Sequence, residues 1–413
     1  MKVLQINQNH NIGSTGRIMK EINDMAISKG YASYMLCAYS TQADHNEHLY
    51  VTEQLPQVLA IRKNILKHRL TGLTGYSSIL STKKALRWIE RVNPDIIHIH
   101  NVHGNWINLR MLFSFLKQKK IPIVWTLHDC WSFTGRCSHF ESSNCFQWRN
   151  GCKKCPVLNV YPVSYFFDFS SRMWRDKRAW LSGFQSMNIV TPSRWLADYV
   201  KQSFLASYNI SVINNGIDIG QFCIQKNKSK YINGETRKII LGVASTWTRW
   251  KGIDDFIQLF SLLDSTKYVI VLVGLNSRQL SSLPKGILGI NRTQNVTELA
   301  ELYSQADVFV NPTYQDNYPT VNLEALACGT PVITYQTGGS VESVSPDVGL
   351  VVEKGDVIGL ADAIKMVANS GVYSPQNCRH YAEMHFDKNQ KYLDYIQLYD
   401  TLYHKSQLRL NEK

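Results

Sequence analysis

The most constraining feature of the chain is a run without polar alternation, Val269-Ile270-Val271-Leu272-Val273. A strand with one wet face alternates apolar and polar side chains, so this run predicts a parallel strand covered on both faces. Short apolar runs recur from end to end. In the first half they are Val3–Asn7, Ser33–Tyr39, Asp95–Asn101, Ile123–Asp129, Met187–Thr191 and Ser211–Asn215. In the second half they are Lys238–Ala244, Tyr268–Gly274, Gly286–Ile290, Ala306–Pro312, Pro331–Tyr335 and Gly349–Val352. Helix-like segments lie between them: Gly16–Lys29, Leu109–Lys119, Ile253–Leu263, Thr297–Ser304, Val321–Cys328 and Val357–Asn369. Alternation of this kind predicts two Rossmann-like, doubly wound α/β domains with parallel sheets, and 413 residues suffice for two cores.

Asn214-Asn215-Gly216-Ile217-Asp218 supplies turn chemistry, and the polar stretch Lys226–Lys230 follows it. The expected division is residues 1–213, residues 214–387 and a C-terminal helix over 388–413. In that helix Tyr392, Ile396, Tyr399 and Tyr403 recur at helical spacing, and it is expected to pack back on the first domain. Two such domains facing across a cleft would bind ligand beyond the carboxyl ends of their strands. The longest apolar run, Tyr268–Leu275, is far short of the ~20 residues that span a bilayer. Met1–Asn7 reads as a first strand and not as a signal peptide, so a soluble, cytoplasmic chain is expected. With 45 Lys+Arg against 32 Asp+Glu the net charge is +13, which admits nucleic acid, phosphorylated ligands or a lipid surface as partners.

The most informative segment runs from Asn311 to Pro331. A buried strand ends near Asn311, Thr320 is the expected N-cap of a helix over Val321–Cys328, and Gly329 with Pro331 stops it. Free amides at Val321, Asn322 and Leu323 would form an anion site suited to a diphosphate. Glu324 either accepts hydrogen bonds from a ribose diol or complements the helix dipole, and spacing leaves both open.

Asp316 and Glu324, followed by Ala-Leu-Ala-Cys-Gly-Thr-Pro-Val-Ile, resemble the acidic pair of retaining glycosyltransferases of family 4, which have the GT-B fold. The family pattern begins with Glu; Asp316 stands there instead, as in a branch of bacterial exopolysaccharide transferases related to the colanic acid enzymes. The resemblance implies that Glu324 holds the nucleotide ribose, and that Asp316 and Asn317 face the donor sugar. Asn215-Gly216-Ile217-Asp218 with Phe222 is similar to the family's hinge, and Thr191–Leu196 to the segment before it. Trp247-Thr248-Arg249-Trp250-Lys251-Gly252 occupies the place of the phosphate clamp, with Thr246 where the family more often has Arg. Lys251 and Arg249 would neutralise a diphosphate leaving group, Arg249 being otherwise a solvated charge. Thr337-Gly338-Gly339-Ser340 resembles a donor-side glycine loop.

In the first half, Asn11-Ile12-Gly13-Ser14-Thr15-Gly16-Arg17 follows a strand and opens a helix, where glycines let backbone approach a phosphate. It lacks the full dinucleotide fingerprint; by resemblance, Gly13 and Gly16 approach the donor diphosphate. His128 ends a strand in Thr126-Leu127-His128-Asp129, and the resemblance assigns it to donor-sugar contact, with Asp129 supporting its loop. His98 and His100 share a strand face and, with His103, offer either a metal site or cleft and core histidines.

Cys137, Cys145, Cys152 and Cys155 fall within a short segment of a Cys-rich insertion over 130–156. They make up either a tetrahedral structural zinc site or four reduced thiols. The family needs no cofactor for catalysis. Basic residues concentrate over 61–120, and Leu66, Leu70, Leu73, Tyr76, Ile79 and Leu80 interleave with them. Residues 61–91 therefore suit an anionic membrane surface, or else a solvated helix face.

The function expected is transfer of a sugar from a UDP- or GDP-linked donor to a saccharide or polyprenyl-diphosphate-linked acceptor in surface-polysaccharide assembly, at the inner face of the cytoplasmic membrane. A sugar-nucleotide epimerase or hydrolase of the same fold is the alternative. A nucleic-acid-binding protein is a weaker one, since no finger spacing or RNA-binding signature is present.

Overall fold

The computed structural model describes residues 1–40, 48–52, 69–160 and 162–411. It divides into two compact units, Met1–Ile213 with Tyr392–Lys413, and Asn214–Lys391. Of the basic stretch, Arg62, Lys63, Leu66 and Lys67 lie outside the described residues.

The first unit is built on β1 (Lys2–His10), β2 (Ala32–Ser40), β3 (Leu49–Val51), β4 (Ile96–Ile99), β5 (Ile123–Thr126), β6 (Met187–Thr191) and β7 (Asn209–Val212). They form one sheet in the order β3-β2-β1-β4-β5-β6-β7, with every pair parallel. All six strands expected in this half are present. β3 was not expected, because three residues at a sheet edge leave no readable periodicity. β4, β5 and β6 are buried along their whole length, which explains their lack of polar alternation. The helix Leu109–Lys119 shows the local logic of the covering layer. Leu109, Leu112, Phe113 and Leu116 recur on one buried face, and the Asn108 side chain caps the first turn by accepting from the Met111 N–H at 3.1 Å.

The C-terminal helix, Lys388–Asn411, lays Tyr392, Tyr395, Ile396 and Tyr399 against Val3, Ile96, Val124 and Val190 of this sheet. Polar groups fix its register. Tyr399 donates to His98 Nδ1 at 2.6 Å, Tyr31 to Asp400 at 2.6 Å and Tyr392 to Glu21 at 3.1 Å.

The second unit contains β8 (Lys238–Val243), β9 (Tyr268–Val273), β10 (Ile287–Ile290), β11 (Val308–Asn311), β12 (Val332–Tyr335) and β13 (Gly349–Val352). The order is β10-β9-β8-β11-β12-β13, again all parallel, and β9 carries the Val269–Val273 run fully buried. In this unit the segment entering at Asn214 lies beside the one leaving at Lys391. Ile217 bridges Asp387, Lys388 Nζ meets Asp218 Oδ2 at 2.7 Å, and a Cβ on Gly216 would fall 2.5 Å from Lys388 Cα. Among the described residues no helix is long and apolar enough to cross a membrane.

Tyr399 is fully buried. Tyr399→Ala is expected to destabilise the fold by roughly 3–5 kcal/mol in urea unfolding. Tyr399→Phe, which removes only the donor to His98, should cost about 1–3 kcal/mol.

Candidate active site

In the second unit the strand order reverses between β8 and β11, and open α/β sheets bind ligands beyond the carboxyl ends of the strands at such a point. The segment after β8 forms a 3₁₀ turn, Arg249–Lys251, and the segment after β11 is the loop 312–319. The Tyr314 N–H and the Thr313 hydroxyl both donate to the Trp250 carbonyl, at 2.9 and 3.3 Å, and sew the two together. Lys251 Nζ then meets Asp316 Oδ2 at 2.5 Å, while Asp316 Oδ1 accepts the Asn317 N–H at 2.9 Å. Spacing in the sequence did not pair Lys251 with Asp316. The lysine side chain is 38% exposed, so the pair adds little stability but keeps a cation at a fixed, reachable place. Arg249 is exposed and lies over the Trp250 ring, 5.7 Å from its centre.

Two glycines permit this approach. Gly252 has φ +76°, and a Cβ there would fall 2.3 Å from the Pro312 carbonyl oxygen. Gly338 has φ +53°, and a Cβ would fall 1.9 Å from the Asp316 carbonyl oxygen, so only glycine lets the 337–339 loop lie against Asp316. Gly339 follows as the residue before the 3₁₀ turn Ser340–Ser343. Beneath the site Asp255 accepts from Tyr335 at 2.7 Å and from Tyr314 at 3.0 Å, and burial pushes its carboxyl above the usual range. Nothing in the spacing of the chain pointed to this support.

The helix after the loop spans Thr320–Ala327 and ends at Gly329 with φ +84°. Its N-cap is Pro319, not Thr320, and no side chain caps it, because the proline side chain has no oxygen to offer. The expected row of free amides is also corrected at Asn322. Its N–H donates to the Pro319 carbonyl at 3.3 Å, and its fully buried side chain bonds Asn311, Ser340 and Ser343. Asn322 thus joins β11, the helix and the glycine loop as a framework residue. Val321 is partly buried against the core. Glu324 is buried, 4% exposed, and accepts from the Tyr303 hydroxyl at 3.1 Å. Gln315 Nε2 and Thr337 Oγ1, to which the sequence assigned no role of their own, are buried next to Asp316 and Gly338 in the chain without a hydrogen-bond partner among the described residues. Orphaned donors at a site are the groups a polar ligand satisfies.

In the first unit the order reverses between β1 and β4. The turn after β1 runs through Asn11 (φ 54°) and Gly13 (φ 66°), and the helix Gly13–Ser28 begins there without a side-chain cap. Asn7 braces it by donating to the Asn9 and Thr15 carbonyls at 2.9 and 3.2 Å; Gly16 is buried against that backbone.

After β4 and β5 comes a histidine chain. His98 bonds Thr126 at 2.8 Å in addition to Tyr399. His100 Nε2 meets Gln5 Oε1 at 3.1 Å, and its Nδ1 meets His128 Nε2 at 3.1 Å. With the Gln5 oxygen as acceptor, His100 Nδ1 is left to accept, which makes His128 the donor through Nε2. Burial holds His98 and His100 well below the usual imidazole range and lowers His128 to about 4. Asp129 meets His103 at 3.2 Å and accepts the Trp131 N–H at 2.8 Å; although burial opposes it, these partners lower its carboxyl. Fully buried and held neutral, His98 and His100 form a framework behind His128.

Comparison with known proteins decides the family. Residues 31–221 match Glycosyltransferase Family 4, and residues 237–370 match Glycosyl transferases group 1, so the two descriptions together span most of the chain. The chain belongs to these glycosyltransferases. The glycosyltransferase is 26% identical over 381 residues to the putative colanic acid biosynthesis glycosyl transferase WcaC of Escherichia coli K12, covering 88% of this chain and 90% of that one. It is 25% identical over 221 residues to the N,N'-diacetylbacillosaminyl-diphospho-undecaprenol alpha-1,3-N-acetylgalactosaminyltransferase of Campylobacter jejuni, covering 50% of this chain and 58% of that one. The structure of Anabaena HepE in complex with UDP superposes with a TM-score of 0.65 over 97% of this chain and 100% of that one, at 15% identity. The fold is GT-B, two parallel-sheet α/β domains, as the sequence led one to expect.

Two outcomes follow from the geometry. Gly338→Ala should lose about 1–2 kcal/mol from the left-handed backbone alone, before the clash with Asp316, in thermal or urea unfolding. The histidines give a pH dependence. Their folded values lie below the unfolded one, so on acidification below about 6.5 the unfolded chain takes up protons first. Stability is then flat above pH 7 and falls toward pH 5, by at most about 1.4 kcal/mol per pH unit for each imidazole, as urea titrations at several pH values would read.

Proposed function

We propose that this glycosyltransferase is a retaining enzyme that takes a sugar from a nucleoside-diphosphate donor and adds it to a lipid-linked saccharide during surface-polysaccharide assembly. The observation that carries the donor reading is the Lys251–Asp316 pair at the switch point of the second sheet, with Glu324 buried behind it. Lys251, with Arg249 nearby, neutralises the charge that develops on the leaving diphosphate. The amides at the start of Thr320–Ala327 and the Gly338–Gly339 backbone approach the donor. Glu324 takes the ribose, and Asp316 and Asn317 take the sugar hydroxyls. The Gly13–Gly16 turn is the first unit's phosphate-facing element. His128, neutral at physiological pH, suits a hydrogen bond to a sugar hydroxyl better than general-base work. The bond from the anomeric carbon to the diphosphate breaks, a bond to the acceptor oxygen forms on the same face, and the departing phosphate oxygen takes the acceptor's proton. HepE's complex with UDP and the Campylobacter relative's undecaprenol-linked name support the donor and acceptor classes.

A lipid-linked acceptor also fits the surface. Leu80 and Phe166 are 76% and 73% exposed, and Ile79, Tyr165 and Phe167 are exposed with them. The Tyr165 N–H donates to the Arg69 carbonyl at 2.8 Å, bringing the aromatic segment to the basic one. Lys84, Arg87 and Arg91 line a cavity of about 570 Å³ with Tyr50 and Glu90. Apolar side chains beside cations suit an anionic bilayer face.

The test is nucleotide release and product formation across a panel of UDP- and GDP-sugars with lipid-linked acceptors. Lys251→Ala and Glu324→Gln should lower turnover roughly 10²–10³-fold while the fold is kept, and product NMR should report the donor's anomeric configuration. Full activity in either variant contradicts the site, and an inverted product contradicts the mechanism. Cosedimentation with anionic vesicles at low salt should be lost on Phe166→Ser with Leu80→Ser; no binding at low salt removes the membrane reading.

A further inference from the structure

The Cys-rich insertion is not used by the transfer chemistry. Cys137, Cys145, Cys152 and Cys155 are free cysteines that all line one cavity of about 20 Å³, together with Arg136, Trp148 and Ser170. A space of that size holds one water-sized sphere. All four side chains line it, although among the described residues no three His, Cys, Asp or Glu side chains are placed to hold a metal ion as they stand.

Burial holds the Cys137, Cys152 and Cys155 thiols above their usual range, so a thiolate here needs positive charge beside it. The Gly135 N–H donates to Cys152 Sγ at 3.1 Å, a bond that is weak to a thiol and stronger to a thiolate. A Cβ on Gly135 would fall 2.8 Å from Cys152 Cβ, so the backbone can come this close only at glycine. Two cations are buried around the cluster. Arg136 is 3% exposed, lines the cavity, and its Nη2 has no hydrogen-bond partner among the described residues. Lys177 is 2% exposed, donates to the Trp131 carbonyl and lies 3.9 Å from the centre of the Trp131 ring. Buried charges are normally paired, yet neither cation forms an ion pair among the described residues. Burial lowers both, Lys177 to about 7 and Arg136 below its usual range, while Cys152 and Cys137 oppose it at the lysine and Cys155 opposes it at the arginine.

We propose that Cys137, Cys145, Cys152 and Cys155 bind one structural zinc ion, with Arg136 and Lys177 as its buried counter-charges. Four thiolates around a divalent ion leave two negative charges, which one arginine and one lysine balance. The thiols rotate into the shared cavity and release their protons to solvent as they bind. The ion would pin the segment that follows β5. Cys130 N–H already donates to the Ser138 carbonyl at 2.9 Å, Thr134 to the Cys137 carbonyl at 2.6 Å, and Lys177 holds Trp131. That segment begins at His128, so the metal would be a positioning element for it.

The experiment is elemental analysis of the full chain purified without a polyhistidine tag, then replacement of the metal by Co(II). About one zinc per chain and the visible absorption of tetrahedral cobalt thiolate are expected. Cys152→Ser and Cys155→Ser should lower the metal content, and Cys223→Ser, outside the cluster, should leave it unchanged. Folded wild-type protein that stays free of zinc after incubation with zinc chloride overturns the proposal, as does a metal content unaffected by both cluster variants. If the variants do not fold, the wild-type metal content and the cobalt spectrum still decide.

Discussion

Strands buried on both faces are the constraint on which the rest of the molecule depends. β4, β5, β6 and β9 are enclosed along their full length, so their side chains can only be apolar or internally satisfied. Ligand chemistry is thereby moved to the strand ends, and the sheet order decides which ends matter. In the second unit the reversal between β8 and β11 puts Lys251 and Asp316 on the two loops that flank it.

The polar groups that do go inside obey the same rule. In the first unit His98, Thr126, Tyr395 and Tyr399 satisfy one another, and His100 is satisfied by Gln5 and His128. Asp255 is satisfied by two tyrosines, and Asn322 by three side chains, in the second. Each network lies directly behind a loop with a functional candidate: His128, Asp316 or Gly338. Internal satisfaction makes these loops stiff, and stiffness is what an electrostatic site requires, because its donors must not reorganise when charge develops.

Much of this was legible in the sequence, because the fold's signal is local. All the expected strands formed, since unbroken apolar runs bounded by turns have few alternatives. The short β3 and the exact capping of Thr320–Ala327 were not legible, since three residues carry no period and proline displaced the expected cap. Site residues adjoining a glycine turn or a strand end could be named from the chain alone. Pairings across distant segments could not: Lys251 with Asp316 spans 65 positions, and Asp255 with Tyr335 spans 80. Gln315 and Thr337 escaped notice because a buried donor without a partner is visible only when its neighbours are in place.

The central claim is that the second unit grips a nucleotide through its diphosphate. Calorimetric titration of the full chain with UDP, GDP and the corresponding nucleosides tests it most directly. The account predicts that one nucleoside diphosphate binds, that its nucleoside binds far more weakly, and that Lys251→Ala closes the gap between them. Equal binding of nucleoside and nucleoside diphosphate, or binding of neither diphosphate, would contradict it.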